Sequence, residues 1–322
     1  RFTNYGTVTG GSSGSFVNDG EFNNHGSFST LNGILDNRAV MNNFGRLNVG
    51  AGPLINTGTF RNSGITDFSS ATLQNNGVFV NEFGGQFNSD SSSRNAGTLI
   101  NLGAISVIRL TNTGKIENMG SGSIFSDVGA PVSNSGTISN FGSINAGRFI
   151  NSGQVSVFEG GSITNSRSLG SYSQTAGSTT IDGHLQNNTI DIYGGTLDGT
   201  GTISGLLTVD GGTVSPGHSA GTLSIDGDLL FKSGTLLSDI QGTRAGQFDV
   251  LNISGSATFE GGILAFSFGD FLPQRGNSWT FLKAEGGISF LEGLTTTFNF
   301  SNPETGRGYR FDLSTIQNAT EA

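Results

Sequence analysis

The triplet Asn-x-Gly recurs along this chain, usually in pairs whose members lie six residues apart. The third position of successive first triplets falls at Gly20, Ala39, Gly58 and Gly77, a spacing of 19 residues held three times. A fixed period of this size is typical of a solenoid, in which each repeat forms one coil. The clearest pairs are Asn18/Gly20 with Asn24/Gly26, Asn56/Gly58 with Asn62/Gly64, Asn95/Gly97 with Asn101/Gly103, Asn112/Gly114 with Asn118/Gly120, and Asn134/Gly136 with Asn140/Gly142.

Between the triplets, apolar and polar residues alternate over three to five positions. This pattern points Phe60, Ile116 and Ile138 inward and their neighbours outward, which is the signature of short strands. Glycine interrupts every stretch long enough for a helix. Three strands and three corners fit a coil of 19 residues, so we predict an all-β parallel β-helix with a β-rich C-terminal cap.

The corner residues have a predicted structural role. Because coils stack about 4.8 Å apart, each corner asparagine lies over the one before it, and the side-chain amides can bond along the axis. We expect the glycines to supply positive φ angles, which cost glycine nothing. Two corners depart from the pattern: Ala39 stands where glycine is expected, in a conformation unfavourable to alanine, and Asn81–Gly84 contains one extra residue, which predicts a bulge.

The repeat changes character along the chain, and this predicts three segments. Residues 1–165 form a β-helix with Asn-x-Gly repeats, and residues 166–245 continue it with Gly and Asp-Gly corners such as Asp182-Gly183. Residues 246–322 have longer strands and the single tryptophan, so we expect a β-rich cap or small β-domain there.

Composition excludes several functional classes. Charged residues are only 12% of the chain and the net charge is −9, which disfavours nucleic acid as a partner. The absence of cysteine excludes disulfides and thiolate metal sites. No run of about 18 apolar residues is present, so no transmembrane helix is expected. Arg1–Gly6 already reads as the middle of a coil, which suggests that a preceding segment has been removed.

Residues 199–228 resemble the passenger region of bacterial autotransporters, most specifically in Ser215-Pro216-Gly217 followed by Ala220–Leu223. Residues 246–255 and Gly261–Leu264 fit the same family, whereas the Asn-x-Gly half is similar to filamentous-haemagglutinin-like adhesins. The resemblance covers nearly the whole chain. It implies a right-handed coil, in keeping with strand twist, and export from a Gram-negative type bacterium to its surface or beyond. It implies no catalytic residue.

Candidate chemical groups are few. Asp191, Asp198 and Asp210 form the densest acidic group, and Asp191 and Asp210, one coil apart, are read either as a carboxylate pair or calcium site or as Asx-turn corners, the latter being favoured. Asp226-Gly227-Asp228 is only part of a calcium loop. Further groups without a recognisable site are His25, His184 and His218, and the polar cluster Arg307, Tyr309, Arg310 and Asp312, which suits a docking surface or a solvated loop. We therefore predict no catalytic residue, no cofactor and no metal.

The sequence thus favours a non-enzymatic, extracellular structural or adhesive rod, of the kind found at cell surfaces and in biofilms. Such a rod would contact a host-cell, glycan or matrix surface, and its copies are expected to stack end to end into filaments. The alternative is a polysaccharide-processing enzyme or a carbohydrate-binding β-helix. That alternative predicts clustered acids or a row of exposed aromatics, and Tyr5, Tyr172, Tyr193 and Trp279 are too scattered to indicate one.

Overall fold

A computed structural model describes residues 1–10, 14–30, 32–68, 70–165, 170–291, 293–301 and 309–315. Within these ranges the chain is all-β, with parallel coils of about 19 residues and no helix. The predicted parallel β-solenoid is therefore confirmed. The chain forms two compact units: the first contains residues 1–172 and 183–186, and the second contains residues 173–182 and 187–322.

The strands are short at first and lengthen along the chain. In chain order, the first thirteen are β1 (Phe2–Asn4), β2 (Thr7–Thr9), β3 (Phe16–Asn18), β4 (Glu21–Asn24), β5 (Ser27–Thr30), β6 (Leu35–Asn37), β7 (Val40–Asn43), β8 (Arg46–Val49), β9 (Leu54–Asn56), β10 (Thr59–Asn62), β11 (Ile65–Phe68), β12 (Leu73–Asn75) and β13 (Val78–Asn81). The next nine are β14 (Gln86–Asn95), β15 (Thr98–Asn101), β16 (Ala104–Asn112), β17 (Lys115–Asn118), β18 (Ser123–Asn134), β19 (Thr137–Asn140), β20 (Ser143–Asn151), β21 (Gln154–Val157) and β22 (Ser162–Thr164). The remainder are β23 (Ser171–Gln174), β24 (Ser178–Ile181), β25 (His184–Ile192), β26 (Thr196–Gly199), β27 (Thr202–Pro216), β28 (Thr222–Asp226), β29 (Leu229–Asp239), β30 (Val250–Ile253), β31 (Ala257–Phe259), β32 (Gly262–Ser267), β33 (Leu282–Ala284), β34 (Ile288–Phe290) and β35 (Leu294–Asn299).

In the first unit, three parallel sheets form the sides of the coil. Sheet A runs β3–β6–β9–β12 and continues through the second halves of β14, β16, β18 and β20. Sheet B runs β1–β4–β7–β10–β13–β15–β17–β19–β21. Sheet C runs β2–β5–β8–β11 and then through the first halves of β14, β16, β18 and β20 to β22. We call the turn from sheet A to sheet B the first corner and the turn from sheet B to sheet C the second corner.

Parallel registration places like residues in columns. Phe60 of sheet B pairs with Met41 and Phe79, each 19 residues away, and all three side chains are buried. The rings of Phe60 and Phe79 stack with centroids 5.0 Å apart. Ile116 pairs with Ile138 in the same inward column. The inward positions predicted from alternation are therefore confirmed, and their burial removes each apolar side chain from water.

The second unit also consists of parallel coils. One column of strands runs β24–β26–β27–β29–β32–β35, a second runs β27–β28–β30–β33, and a third runs β27–β29–β31–β34. The same parallel pairing thus extends through the predicted cap region as far as Asn299, while residues 302–308 and 316–322 of that region lie outside the described residues. The coils are longer here, because segments 240–249 and 268–281 project between strands.

The Ser-Pro-Gly motif occupies a tight turn in the second unit. Gly217, Ser219 and Ala220 have positive φ angles of 85°, 68° and 98°. The carboxylate of Asp249, only 1% exposed, accepts hydrogen bonds from the backbone N–H groups of Ala220 and Gly221 at 2.9 Å each. Asp249 therefore stabilises a backbone conformation that is unfavourable for alanine and serine.

Candidate functional site

Two columns of buried asparagines run along the first unit, one at each of the first two corners. In each column the side-chain Nδ2 of one asparagine donates to the Oδ1 of the next, at 2.6–2.9 Å. The first-corner ladder contains Asn18, Asn37, Asn56, Asn75, Asn95, Asn112, Asn134 and Asn151. The second-corner ladder contains Asn4, Asn24, Asn43, Asn62, Asn81, Asn101, Asn118 and Asn140.

Each ladder asparagine also bonds to the backbone. Asn62, which is fully buried, donates to Asn81 Oδ1 and to the carbonyl oxygen of Gln86, both at 2.9 Å. Its own Oδ1 accepts from Asn43 Nδ2 at 2.8 Å and from Thr66 Oγ1 at 2.9 Å. The amide thereby satisfies its polar atoms inside the coil, and it ties one corner to the strand that follows the next corner.

The corner glycines do not have the role that the sequence suggested. None of the glycines in the Asn-x-Gly triplets has a positive φ angle, so the expectation of a left-handed corner was wrong. The structure instead shows close approach between coils. A Cβ atom on Gly64 would lie 2.1 Å from the carbonyl oxygen of Gly45, and one on Gly97 would lie 2.1 Å from that of Gly77. Glycine is required because backbone occupies the space of a side chain.

The same correction applies to the other predicted corner glycines. At most of them an added Cβ atom would lie 2.0–2.3 Å from a carbonyl oxygen of the preceding coil. The prediction of a positive φ angle was wrong, and close approach is the reason for glycine, at Gly26, Gly58, Gly103, Gly114, Gly136 and Gly142. Gly20 differs from these, because its Cβ would have no heavy atom closer than Arg1 N at 3.9 Å. Neither a positive φ angle nor close approach therefore explains glycine at position 20.

Ala39 is accommodated without backbone strain. Among the described residues, only Ser219 and Ala220 are non-glycine residues with positive φ, so the expectation for Ala39 was also wrong. The Arg38 N–H donates to Asn18 O at 3.0 Å, and at the glycine corner above, both Thr57 and Gly58 donate to Asn37 O, at 2.9 and 3.1 Å.

Three second corners are longer than the others. Residues 82–85, 119–122 and 158–161 each form a turn in which the last N–H donates to the first carbonyl oxygen, as Gly122 does to Met119 at 2.7 Å. At this corner the glycine under the next coil is Gly122, whose Cβ would lie 2.4 Å from Asn101 O, whereas a Cβ on Gly120 would have nothing closer than 3.9 Å. The prediction of Gly120 as the stacked glycine was therefore wrong.

An exposed apolar ridge follows the second corner along the first unit. The ridge consists of the side chains that project from successive turns, and these are mostly aromatic or aliphatic: Tyr5, His25, Phe44, Phe83, Leu102, Met119, Phe141 and Phe158. Tyr5 and Phe83 are each 78% exposed and Phe44 is 52% exposed. The matching positions of the first corner are almost all polar, as at Asp19, Arg38 and Thr57. The two corners therefore present different surfaces.

The rings of the ridge stack face to face. His25 lies between Tyr5 and Phe44, with centroid distances of 4.9 and 4.6 Å and interplanar angles of 13° and 10°. Phe141 and Phe158 stack at 4.0 Å with an angle of 1°. We missed this row in the sequence because only tyrosine and tryptophan were considered. The available signal was an apolar residue between the asparagine and the glycine of each second triplet.

A polar cluster lies in the second unit around Asp182. Its Oδ1 accepts from the Thr200 N–H and Oγ1, both at 3.1 Å, and lies 2.7 Å from His218 Nε2. Burial would raise the pKa of Asp182, but the Thr200 N–H, the His218 ring and the Thr200 hydroxyl together lower it below its usual value. Burial raises the pKa of neighbouring Asp198, although a hydrogen bond from Thr180 opposes this effect.

The other acidic candidates are separated. Asp191 bonds to Thr208, and its pKa is raised by burial, while Asp210 accepts a hydrogen bond from Ser233 Oγ at 3.2 Å. Asp226 and Asp228 accept hydrogen bonds from Ser254 and Ser256. Among the described residues there is no group of three or more His, Asp or Glu side chains suited to a metal ion. Tyr309 stacks on Phe300 at 5.2 Å, and Arg307 lies outside the described residues.

The Asp182 cluster predicts an acid-dependent loss of stability. Because the pKa of folded Asp182 is below that of the unfolded chain, its contribution is present above about pH 4 and is lost as the pH falls through the folded value. Asp182→Asn should therefore reduce the difference in melting temperature between pH 6 and pH 3. Thermal melts at both pH values measure this, with the exposed Asp270→Asn as a control. An unchanged difference in Asp182→Asn would contradict the assignment.

These features define a β-solenoid repeat protein with asparagine ladders and one apolar corner. Comparison of the chain with family models, curated proteins and solved structures gives no match. Over the part of the chain that the structure describes, there is no helix of the length and apolar character needed to cross a bilayer.

Proposed function

We propose that this chain is a non-enzymatic structural or adhesive protein that acts outside the cell, with the apolar ridge as its adhesive face. The observation that carries this proposal is the combination of the two asparagine ladders with the ridge. The ladders bond each corner to the next, so the exposed rings are held in one column.

The size of the ridge supports an interaction role. The exposed fractions of Tyr5, Phe44, Phe83 and Phe141 correspond to apolar area on the order of 500 Å², taking about 200 Å² for each aromatic side chain. A patch of this size on a monomer is often a site of interaction. Glu82 is paired with Arg61 at 2.9 Å, so its charge is partly balanced where it borders the ridge. Apolar contact can therefore form without desolvating an unpaired Glu82 carboxylate.

The ring geometry indicates which partner surface fits. Sugars stack on the faces of aromatic rings, but the faces of His25 are covered by Tyr5 and Phe44. The ridge therefore presents ring edges and aliphatic side chains, which suit an apolar protein or matrix surface rather than a sugar ring.

Removing two ridge side chains should weaken adhesion. We expect Phe44→Ser/Phe83→Ser to reduce binding to an alkyl-coated surface at least fivefold, because much of the exposed apolar area is lost. A quartz microbalance measures the bound mass. The control Tyr193→Ser/Leu272→Ser removes two exposed apolar side chains from the second unit and should bind as the unchanged chain does. Equal loss in both variants would contradict a role specific to the ridge.

The enzymatic alternative has one observation in its favour, which is the proximity of Asp198, with a raised pKa, to Asp182, with a lowered pKa. Incubation with uronic-acid and neutral glycans tests it. We expect no new reducing ends. Chain cleavage that is lost in Asp198→Asn would replace the structural proposal with a glycan-processing one.

End-to-end association of copies is the second part of the proposal. A stack of parallel coils has strand edges at its ends, whose N–H and C=O groups can pair with those of another copy. Light scattering over a concentration series should then show growing particles, and electron microscopy should show filaments. A constant monomer mass at high concentration would contradict this part.

A further inference from the structure

A cavity of about 490 Å³ lies on the second unit, against the outer side of β30 and β33. Its lining includes Phe248, Val250, Asn252, Thr280 and Lys283. This volume is in the range of sites that bind small molecules. The ridge, the ladders and the Asp182 cluster contribute no residue to it.

One wall is an ordered segment that we call the flap, residues 241–248. Within the flap, the Gln241 N–H donates to Gln247 O at 2.7 Å, and the Gln247 N–H donates to Arg244 O at 3.0 Å. From outside it, Trp279 Nε1 donates to Gly242 O at 2.7 Å. These bonds hold the flap beside the strands, so the cavity is present before any ligand binds.

The flap is continuous with the buried anchor Asp249. The Asp249 Oδ2 accepts a hydrogen bond from the Asp239 N–H at 2.9 Å, and its Oδ1 accepts from Ala220 and Gly221 at 2.9 Å. Gly221 itself lines the cavity. The same carboxylate therefore positions the base of the flap and the opposite edge of the cavity.

The polar groups of the cavity suit an anion that carries hydroxyls. Lys283 pairs in register with Asn252, so the ammonium and the amide project from neighbouring strands on the same side. Lys283 forms no ion pair with the described residues, although the chain has net charge −9 and an excess of carboxylates. A free ammonium favours a carboxylate, and Asn252 and Thr280 can bond to hydroxyl groups.

We propose that this cavity binds a hexuronate unit of an acidic polysaccharide. Lys283 pairs with the sugar carboxylate, Asn252 and Thr280 bond to its hydroxyls, and the Phe248 ring contacts its C–H face. An acidic peptide would use the ammonium but would leave the amide and the hydroxyl without suitable partners. The proposal depends on this cavity and not on the adhesive role of the ridge.

The single tryptophan makes the site measurable in the whole chain, because Trp279 contacts the flap. Trigalacturonate should change the Trp279 emission saturably, and calorimetry should give the affinity. Lys283→Met should weaken binding about tenfold or more, since a charge-assisted bond is lost. The control Lys115→Met removes an equal charge from a lysine that is paired with Glu117 in the first unit, and should leave the affinity within twofold.

Two further comparisons identify the ligand class. Maltotriose, which has no carboxylate, and triglutamate, which has no hydroxyls, should each bind at least tenfold more weakly than trigalacturonate. Asn252→Ala should weaken trigalacturonate binding while Lys115→Met does not. Equal affinity of Lys283→Met and the unchanged chain, equal affinity for maltotriose or triglutamate, or no heat of binding with trigalacturonate would each overturn the proposal.

Discussion

Gly122→Ala should destabilise the first unit by about 3 kcal/mol, the largest effect expected from a single methyl group in this chain. The added Cβ would lie 2.4 Å from both Asn101 O and Asn118 Oδ1. Neither atom can move freely, because Asn118 is part of the second-corner ladder and Asn101 O accepts a backbone bond from Met119 at 2.9 Å. Urea denaturation followed by circular dichroism measures the change in the free energy of unfolding.

Gly120→Ala is the matched control, two residues earlier in the same turn. A Cβ at Gly120 would have no heavy atom closer than 3.9 Å, and Gly120 is not in the left-handed region. Its stability should stay within about 0.5 kcal/mol of the unchanged chain. A similar loss in both variants would show that glycine is needed for turn conformation and not for the approach of the coils.

Asn43→Ala should cost about 3 kcal/mol through the loss of buried hydrogen bonds. Asn43 is 1% exposed, donates to Asn62 Oδ1 at 2.8 Å and to Ile65 O at 3.0 Å, and accepts from Asn24 at 2.7 Å. Alanine removes all of these bonds and leaves buried polar atoms with fewer partners. The same denaturation experiment measures the effect, and thermal melting should show a clear fall in melting temperature.

Asn42→Ala provides the comparison, because Asn42 is the preceding residue of the same strand and faces outward. It donates to Asn23 Oδ1 at 2.8 Å, but its side chain is only partly buried, so water can replace the bond. We expect a loss below about 1 kcal/mol. Equal losses for Asn42→Ala and Asn43→Ala would contradict the structural importance of the inward ladder.

Much of the fold could be predicted because the repeat is local. The 19-residue spacing indicates the length of a coil, and the alternation around Phe60 indicates which side chains point inward. Recurrence of asparagine at one position of each coil indicates a column of amides, since coils in register place like residues one above another. Each of these inferences needs only the periodicity of the chain.

The site could be predicted only in part. The sequence indicates which asparagines recur, but the choice between Gly120 and Gly122 depends on where the turn returns beneath the neighbouring coil. The ridge depends on which corner points its middle residue to solvent, and the cavity depends on the flap reaching the strand that carries Lys283. None of these distances is encoded in the spacing of residues.

By itself, therefore, the sequence determined the parallel solenoid, the inward columns and the positions of the corner asparagines, because periodicity and alternation act within one coil and repeat in the next. Only the tertiary structure decided why the corners need glycine, how the rings of the ridge stack, and how Asp249 and Trp279 hold the cavity. The physical reason is that these features depend on atoms from different coils that approach within 2–5 Å, and such approaches are set by packing rather than by the order of residues along the chain.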